Sequence, residues 1–142
     1  MLVAEILKQK GGNVFSIAPE LTLAEVCAEL DAHRVGALMV CAGDKVVGVI
    51  SERDVVRAVA RGGGDTLSQP VSAHMSGDVV FAGPADTVAE LMARMTDRRI
   101  RHLPVLAEGR LTGVISIGDV VKCQIDEATR EAESLRTYIA AG

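Results

Sequence analysis

The chain has 142 residues, of which 49% are hydrophobic, 24% charged and 2% aromatic, with a formal net charge of −4. That apolar content with so little net charge excludes a largely disordered chain, and the length admits one compact domain or two very small ones. Nucleic acid is excluded as a partner class, because the acidic balance leaves no basic cluster and Phe15, Phe81 and Tyr138 are the only rings for bases to stack on.

From the N-terminus, Leu2 to Lys10 reads as a helix. A short apolar strand, Val14 to Ile17, runs to a turn at Pro19, and Thr22 stands where a helix N-cap is wanted. Leu23, Val26, Cys27 and Leu30 then repeat at helical spacing. Ala37 to Cys41 and Val46 to Ile50 are apolar runs split by Ala42-Gly43-Asp44-Lys45, a hairpin pattern, and a second helix starts near Asp54. Arg61 to Pro70 has linker composition.

The same order then returns. At a shift of 65 residues, with no gap, Pro19 meets Pro84, Thr22 meets Thr87, Gly48-Val49-Ile50-Ser51 meets Gly113-Val114-Ile115-Ser116, and Asp54-Val55-Val56 meets Asp119-Val120-Val121. The second copy has a strand at Val79 to Ala82, a helix with Val88, Leu91, Met92 and Met95 on its core stripe, and strands at Leu103 to Leu106 and Leu111 to Ile115. Asp126 to Ala140 closes the chain as an amphipathic helix. The fold class is therefore α/β (α+β), two β-α-β-β-α units with flanking helices. The expected divisions are 1–61 for repeat 1 with the N-terminal helix, 62–72 for the linker, 73–125 for repeat 2, and 126–142 for the C-terminal helix. A unit of this size buries little surface alone, so the two are expected to pack intimately.

The richest apolar stretch, Ala37 to Ile50, is broken by Gly43, Asp44 and Lys45, short of the roughly 18–20 residues of a spanning helix. Without a secretory-type start, the expected address is the cytoplasm. Three cysteines with no C-x-x-C pair argue against a disulfide framework and a metal site; Cys27, Cys41 and Cys123 read as buried inert thiols, and His33 and His74 as surface histidines.

The chemistry concentrates in Gly-Val-Ile-Ser-x-x-Asp, at Gly48 to Asp54 and again at Gly113 to Asp119. The serine and aspartate fall where a strand becomes a helix, so unpaired backbone N–H groups and Ser51 or Ser116 could hold a phosphate, and Asp54 or Asp119 a cis-diol. The same residues could simply cap the helices. The two readings are compatible and stay open together.

Both copies of that motif, the capping threonines, and Ile100-Arg101-His102-Leu103-Pro104-Val105-Leu106 together resemble a tandem pair of cystathionine-beta-synthase (CBS) domains, over roughly residues 1–125. The resemblance implies repeats packed as a pseudo-twofold pair, with two clefts for adenine ligands: AMP first, with ADP, ATP, NAD or S-adenosylmethionine as alternatives. By resemblance, the first cleft has Asn13, Val14, Val35, Gly36 and Ala37 around the base, with Val114, Ser116 and Asp119 on base edge, phosphate and ribose, and Arg101 and His102 facing the phosphate. The second uses Asp78, Val79, Ile100 and Arg101 near the base, with Val49, Ser51, Arg53 and Asp54 opposite. Gly36 and Ala37 stand where copy two has Arg101 and His102, so the clefts are expected to be unequal and the first to bind phosphate better. Arg101 and His102 are adjacent in a strand, so one faces the cleft and the other faces away.

The resulting expectation is a regulatory adenine-nucleotide sensor that forms a homodimer and acts on an unknown effector protein in trans or through its own assembly. It has no catalytic role, catalytic cofactor, metal, nucleic-acid or membrane partner. The competing expectation is a ligand-independent interaction or oligomerisation module. An enzyme using Asp54 or Asp119 as a base lacks a second acid, a nucleophile or an oxyanion site.

Overall fold

The computed structural model describes residues 1–11 and 14–141. In chain order the elements are α1 (Val3–Lys10), β1 (Ser16–Ile17), α2 (Leu23–His33), β2 (Ala37–Ala42), β3 (Lys45–Ser51), α3 (Glu52–Gly62), two short 3-10 turns (Gly64–Ser68 and Val71–Ala73), α4 (Val88–Arg98), β4 (His102–Ala107), β5 (Arg110–Ser116) and α5 (Ile117–Ala141). The two copies form one sheet each, β1-β2-β3 and β4-β5, and β3 and β5 bring the sheets together.

The caps fall where the sequence puts them. Thr22 Oγ1 accepts from the Glu25 amide and Thr87 Oγ1 from the Glu90 amide, each at 3.2 Å, while both glutamates reach back to the threonine N–H. These capping boxes satisfy orphan donors at both ends of the exchange. α2 buries Leu23, Val26 and Leu30, and α4 buries Val88, Leu91 and Met95. Met92, expected in the core, is 40% exposed and instead lies against α5, where Gln124 Nε2 approaches its sulfur at 3.4 Å. Cys27 and Cys41 are only half-buried, and Cys123 alone is fully inside. His33 and His74 are half-buried rather than free on the surface: His33 stacks on Phe15 and pairs with Glu29, and His74 bonds Gln69.

The strand expected over Val79 to Ala82 contracts to a single bridge, Ala82 to Val105. In copy one, β1 pairs in parallel through both Ser16–Met39 and Ile17–Val40. Sixty-five residues on from Met39 stands Pro104, which has no amide hydrogen to extend the ladder. The Phe81 carbonyl accepts from Arg94, at 3.2 Å.

Two further features depart from a beads-on-a-string arrangement. The linker is packed: Val71 is fully buried in the core of copy one, Leu67 lies against it, and Leu23 and Val71 exchange backbone bonds with Gln69 and Leu21. And α1, although it precedes copy one, joins the core of copy two, where Val3 and Ile6 sit with Val88, Leu91, Leu103, Val105 and Ile115. Its first amides donate to the Asp86 and Pro84 carbonyls at 3.0 Å.

The glycines of the shared motif make room for these crossings. A methyl group on Gly113 would lie 2.4 Å from a Leu7 methyl, and one on Gly48 would lie 2.4 Å from the Met75 sulfur and 3.0 Å from the Ser76 carbonyl. Each sheet is thus covered at its glycine by the segment that leads into the other copy. The C-terminal helix expected from Asp126 is the continuation of the helix that starts at Ile117, one element of 25 residues, with only Val120 and Cys123 buried.

Candidate nucleotide cleft

The N-termini of α3 and α5 carry the serine and aspartate of the shared motif, and in both copies they close as capping boxes. Ser51 N–H donates to Asp54 Oδ2 at 2.9 Å and the Asp54 amide returns to Ser51 Oγ at 3.3 Å; Ser116 and Asp119 make the same pair at 2.8 and 3.2 Å. Each helix start is also pinned to the loop before the hairpin, Glu52 N–H to the Gly36 carbonyl at 3.0 Å and Ile117 N–H to the Arg101 carbonyl at 2.8 Å. Capping therefore happens, and it leaves each carboxylate with a second oxygen to offer.

Gly36 and His102, both expected in the first cleft, lie where the copies meet. A methyl on Gly36, from copy one, would lie 3.4 Å from Glu52 Oε1 and 3.6 Å from His102 Cε1, so the small residue opens the space that His102 of copy two faces. His102 is half-buried and Arg101 exposed, which sorts the adjacent pair: histidine inward, arginine outward. Burial, with the positive charges of Lys10 and Arg101, holds the His102 imidazole below its usual pKa against the opposing pull of Asp119 and Glu52. It is therefore neutral at pH 7.

Asp119 has the one ion pair at either aspartate among the described residues. Lys10, at the end of α1, places its ammonium 2.7 Å from Asp119 Oδ2 and 2.8 Å from the Val114 carbonyl. Burial pushes the Asp119 carboxyl up, but Lys10 and the Ser116 N–H outweigh it and the net shift is downward. Lys10 escaped the sequence reading. The available signal was a break in the repeat, since the position 65 residues on is Met75, an uncharged side chain.

The structure thus brings together Gly36, His102, Val114, Ser116 and Asp119, with Lys10 and Glu52 added. Val14 and Ala37 are half-buried. Val35 packs on the core of copy one and lines a hollow between α2 and α3 with Cys27, Leu30 and Val55. Asn13 lies outside the described residues.

On the second side, the Val49 N–H and carbonyl exchange bonds with Ser76, both at 3.0 Å, so the strand edge is already engaged. Asp78 is exposed and pairs with Arg98 at 3.3 Å, Val79 is half-buried, Ile100 packs on the core of copy two, and Arg53 is exposed. No group of three or more histidine, cysteine, aspartate or glutamate side chains is placed to hold a metal ion among the described residues. The Cys41 and Cys123 thiols are pushed up by burial.

The family model for the CBS domain matches this chain twice, over residues 3–61 and 71–126. The chain belongs to the CBS-domain family. Among similar proteins, the mitochondrial CBS domain-containing protein CBSX3 of Arabidopsis thaliana is 32% identical across 99% of this chain and 72% of its own length. The crystal structure of the CBS-domain containing protein ATU1752 from Agrobacterium tumefaciens is 42% identical and superposes with a TM-score of 0.85, over 87% of this chain and 99% of that one. CBS domain protein PAE2072 from Pyrobaculum aerophilum, solved in complex with AMP, is 30% identical with a TM-score of 0.75, over 84% of this chain and 89% of that one. The matched CBS repeats are the two copies read from the 65-residue shift. Among the described residues no helix of this CBS pair is long and apolar enough to cross a membrane.

Proposed function

We propose that this chain is a regulatory CBS pair that binds an adenine nucleotide, AMP first, between its repeats. The observation that carries the reading is the junction itself: Gly36 of one copy faces His102 of the other, His102 pairs across the strands with Ser116, and Lys10 stands beside Asp119, an acceptor that suits a ribose diol. The AMP in the PAE2072 complex supports the same ligand class. With only three aromatic side chains in the chain, the base would be held by aliphatic faces and backbone groups. The first cleft holds phosphate better than the second, because Lys10 stands beside Asp119 there and the inward-facing His102 adds a hydrogen-bonding imidazole, while the second relies on exposed Arg53.

The output passes to a partner in trans or through self-assembly. A ligand speaks to the partner only if it binds one conformation better than another. Self-assembly has its own support. Val56 and Val121 hold the same repeat position on α3 and α5 and are both exposed, and along α5 Val121, Ile125, Ala128, Ala132, Leu135 and Ile139 recur at alternating steps of four and three. That is the seam of a two-helix coil, on the side opposite buried Val120 and Cys123. Two copies in parallel set Glu131 of one opposite Arg136 of the other, whereas the antiparallel register that pairs Ile125 with Leu135 opposes Glu131 with itself. These pairs favour a parallel homodimer over that antiparallel register.

Thermal unfolding with AMP, ATP, ADP, NAD and S-adenosylmethionine tests the nucleotide reading. A ligand present at about a hundred times its Kd adds roughly 2.7 kcal/mol, a rise of several degrees in midpoint for a chain of this size. No shift with any of the five leaves the ligand-independent assembly module as the function.

A further inference from the structure

Lys10 is the cation that the repeat does not predict. It donates to Asp119 Oδ2 and to the Val114 carbonyl, the two groups that the proposed function gives to the ribose diol and the base edge. In the free protein, one of the chain's own side chains holds both places. Copy one answers the same need with fixed groups: the Val49 carbonyl accepts from the Ser76 amide at 3.0 Å, and Asp54 Oδ2 takes only the amide and hydroxyl of Ser51. Met75, at the position of Lys10, packs its thioether over Gly48.

The two arrangements differ in what an arriving ligand can move. A backbone amide within a paired segment stays where it is, whereas a lysine ammonium rides on a flexible four-carbon stem. The Lys10 and Asp119 side chains are 39% and 21% exposed, a wet ion pair of modest strength that exchanges readily. A nucleoside whose diol takes both oxygens of Asp119 and whose base edge takes the Val114 carbonyl leaves the ammonium without its acceptors, still at the end of α1 and beside His102. His102 carries no charge there at pH 7, and a cation that loses a carboxylate is offered a phosphate by the same ligand.

We propose that Lys10 is an exchangeable part of the first cleft's grip: it holds Asp119 and the Val114 carbonyl while the cleft is free, and passes to the 5′-phosphate once a nucleoside takes those groups. The ligand class selected is a nucleoside 5′-phosphate over the bare nucleoside. The inference rests on the reading of the cleft as a nucleotide site.

The test is calorimetric titration of the full chain with AMP and with adenosine, in the wild type, Lys10→Met and Lys10→Arg. Lys10→Met installs the residue copy two already carries, of similar length. Its expected effect is a loss of about tenfold in AMP affinity, roughly 1.4 kcal/mol, with adenosine unchanged or bound a few-fold more tightly because its acceptors are vacant. Lys10→Arg keeps the preference for AMP. Equal losses for AMP and adenosine, or no loss for either, overturn the inference while a wild type that binds AMP keeps the cleft reading intact. A wild type that binds neither ligand, with the Ser116 and Asp119 amide resonances unmoved, overturns AMP as the ligand of the cleft and this inference together.

Discussion

Gly48 and Gly113 occupy the same position in the two repeats, yet alanine at the two sites should act differently. Neither glycine has positive φ, so alanine fits the strand backbone at both, and by restricting the unfolded chain it adds about 0.4–1 kcal/mol of stability if nothing collides. At Gly113 the three atoms nearest the added methyl all belong to Leu7, the closest being the far end of a half-buried side chain near the end of α1, which can rotate aside. At Gly48 it meets the Met75 sulfur and Cγ and also the Ser76 carbonyl at 3.0 Å. That carbonyl cannot retreat, because Ser76 and Val49 bond one another in both directions. Overpacking a buried site costs about 1–3 kcal/mol. The net expectation is a loss of about 1–2 kcal/mol for Gly48→Ala and a change within about 0.5 kcal/mol for Gly113→Ala. Differential scanning calorimetry reads this as a drop of roughly 3–8 °C against almost none. A Gly113→Ala loss equal to or greater than that of Gly48→Ala would refute the reasoning that the fixed backbone atom decides the outcome.

Thr22→Ala and Thr87→Ala should each remove about 1 kcal/mol through loss of the N-cap, seen as a lower urea midpoint at unchanged m-value; a loss of only a few tenths would show that the caps are replaced by water. For His102 the folded pKa lies below the unfolded 6.5, so the unfolded chain binds the proton first. Stability is then flat above about pH 7 and falls as pH drops below 6.5 toward the folded pKa. Urea melts at pH 7.5, 6.0 and 5.0 should show that slope and its loss in His102→Asn; a slope that survives the substitution assigns it elsewhere. Asp119→Ala should weaken AMP more than Asp54→Ala in calorimetric titration, and equal losses would contradict the unequal clefts. Leu135→Glu with Ile139→Glu should shift sedimentation from dimer to monomer while leaving AMP affinity unchanged, and an undisturbed dimer would move the interface off the α5 seam.

Much of this protein is local, and what is local could be read from residues alone. The 65-residue shift, the threonine caps with their glutamates, the i, i+3, i+4, i+7 stripes and the split apolar runs each depend on neighbours within a few positions, so composition and period determine them. The candidate carboxylates Asp54 and Asp119 were legible for the same reason, since serine and aspartate three apart at a strand-to-helix junction are spaced for a capping box. What joins distant segments was decided only by the tertiary structure. Period alone could not show that α1 crosses to the core of copy two, because an amphipathic helix does not say which apolar face it will cover. Met92 and Leu91 were equivalent on a helical wheel, and only the position of α5 put one against a polar amide and the other in the core. The loss of a strand at Val79 followed from a proline 25 residues away in the chain. Lys10 is the sharpest case: an ordinary charge at a helix end in sequence, it becomes the ion-pair partner of Asp119 because a chain crossing brings together residues 109 positions apart.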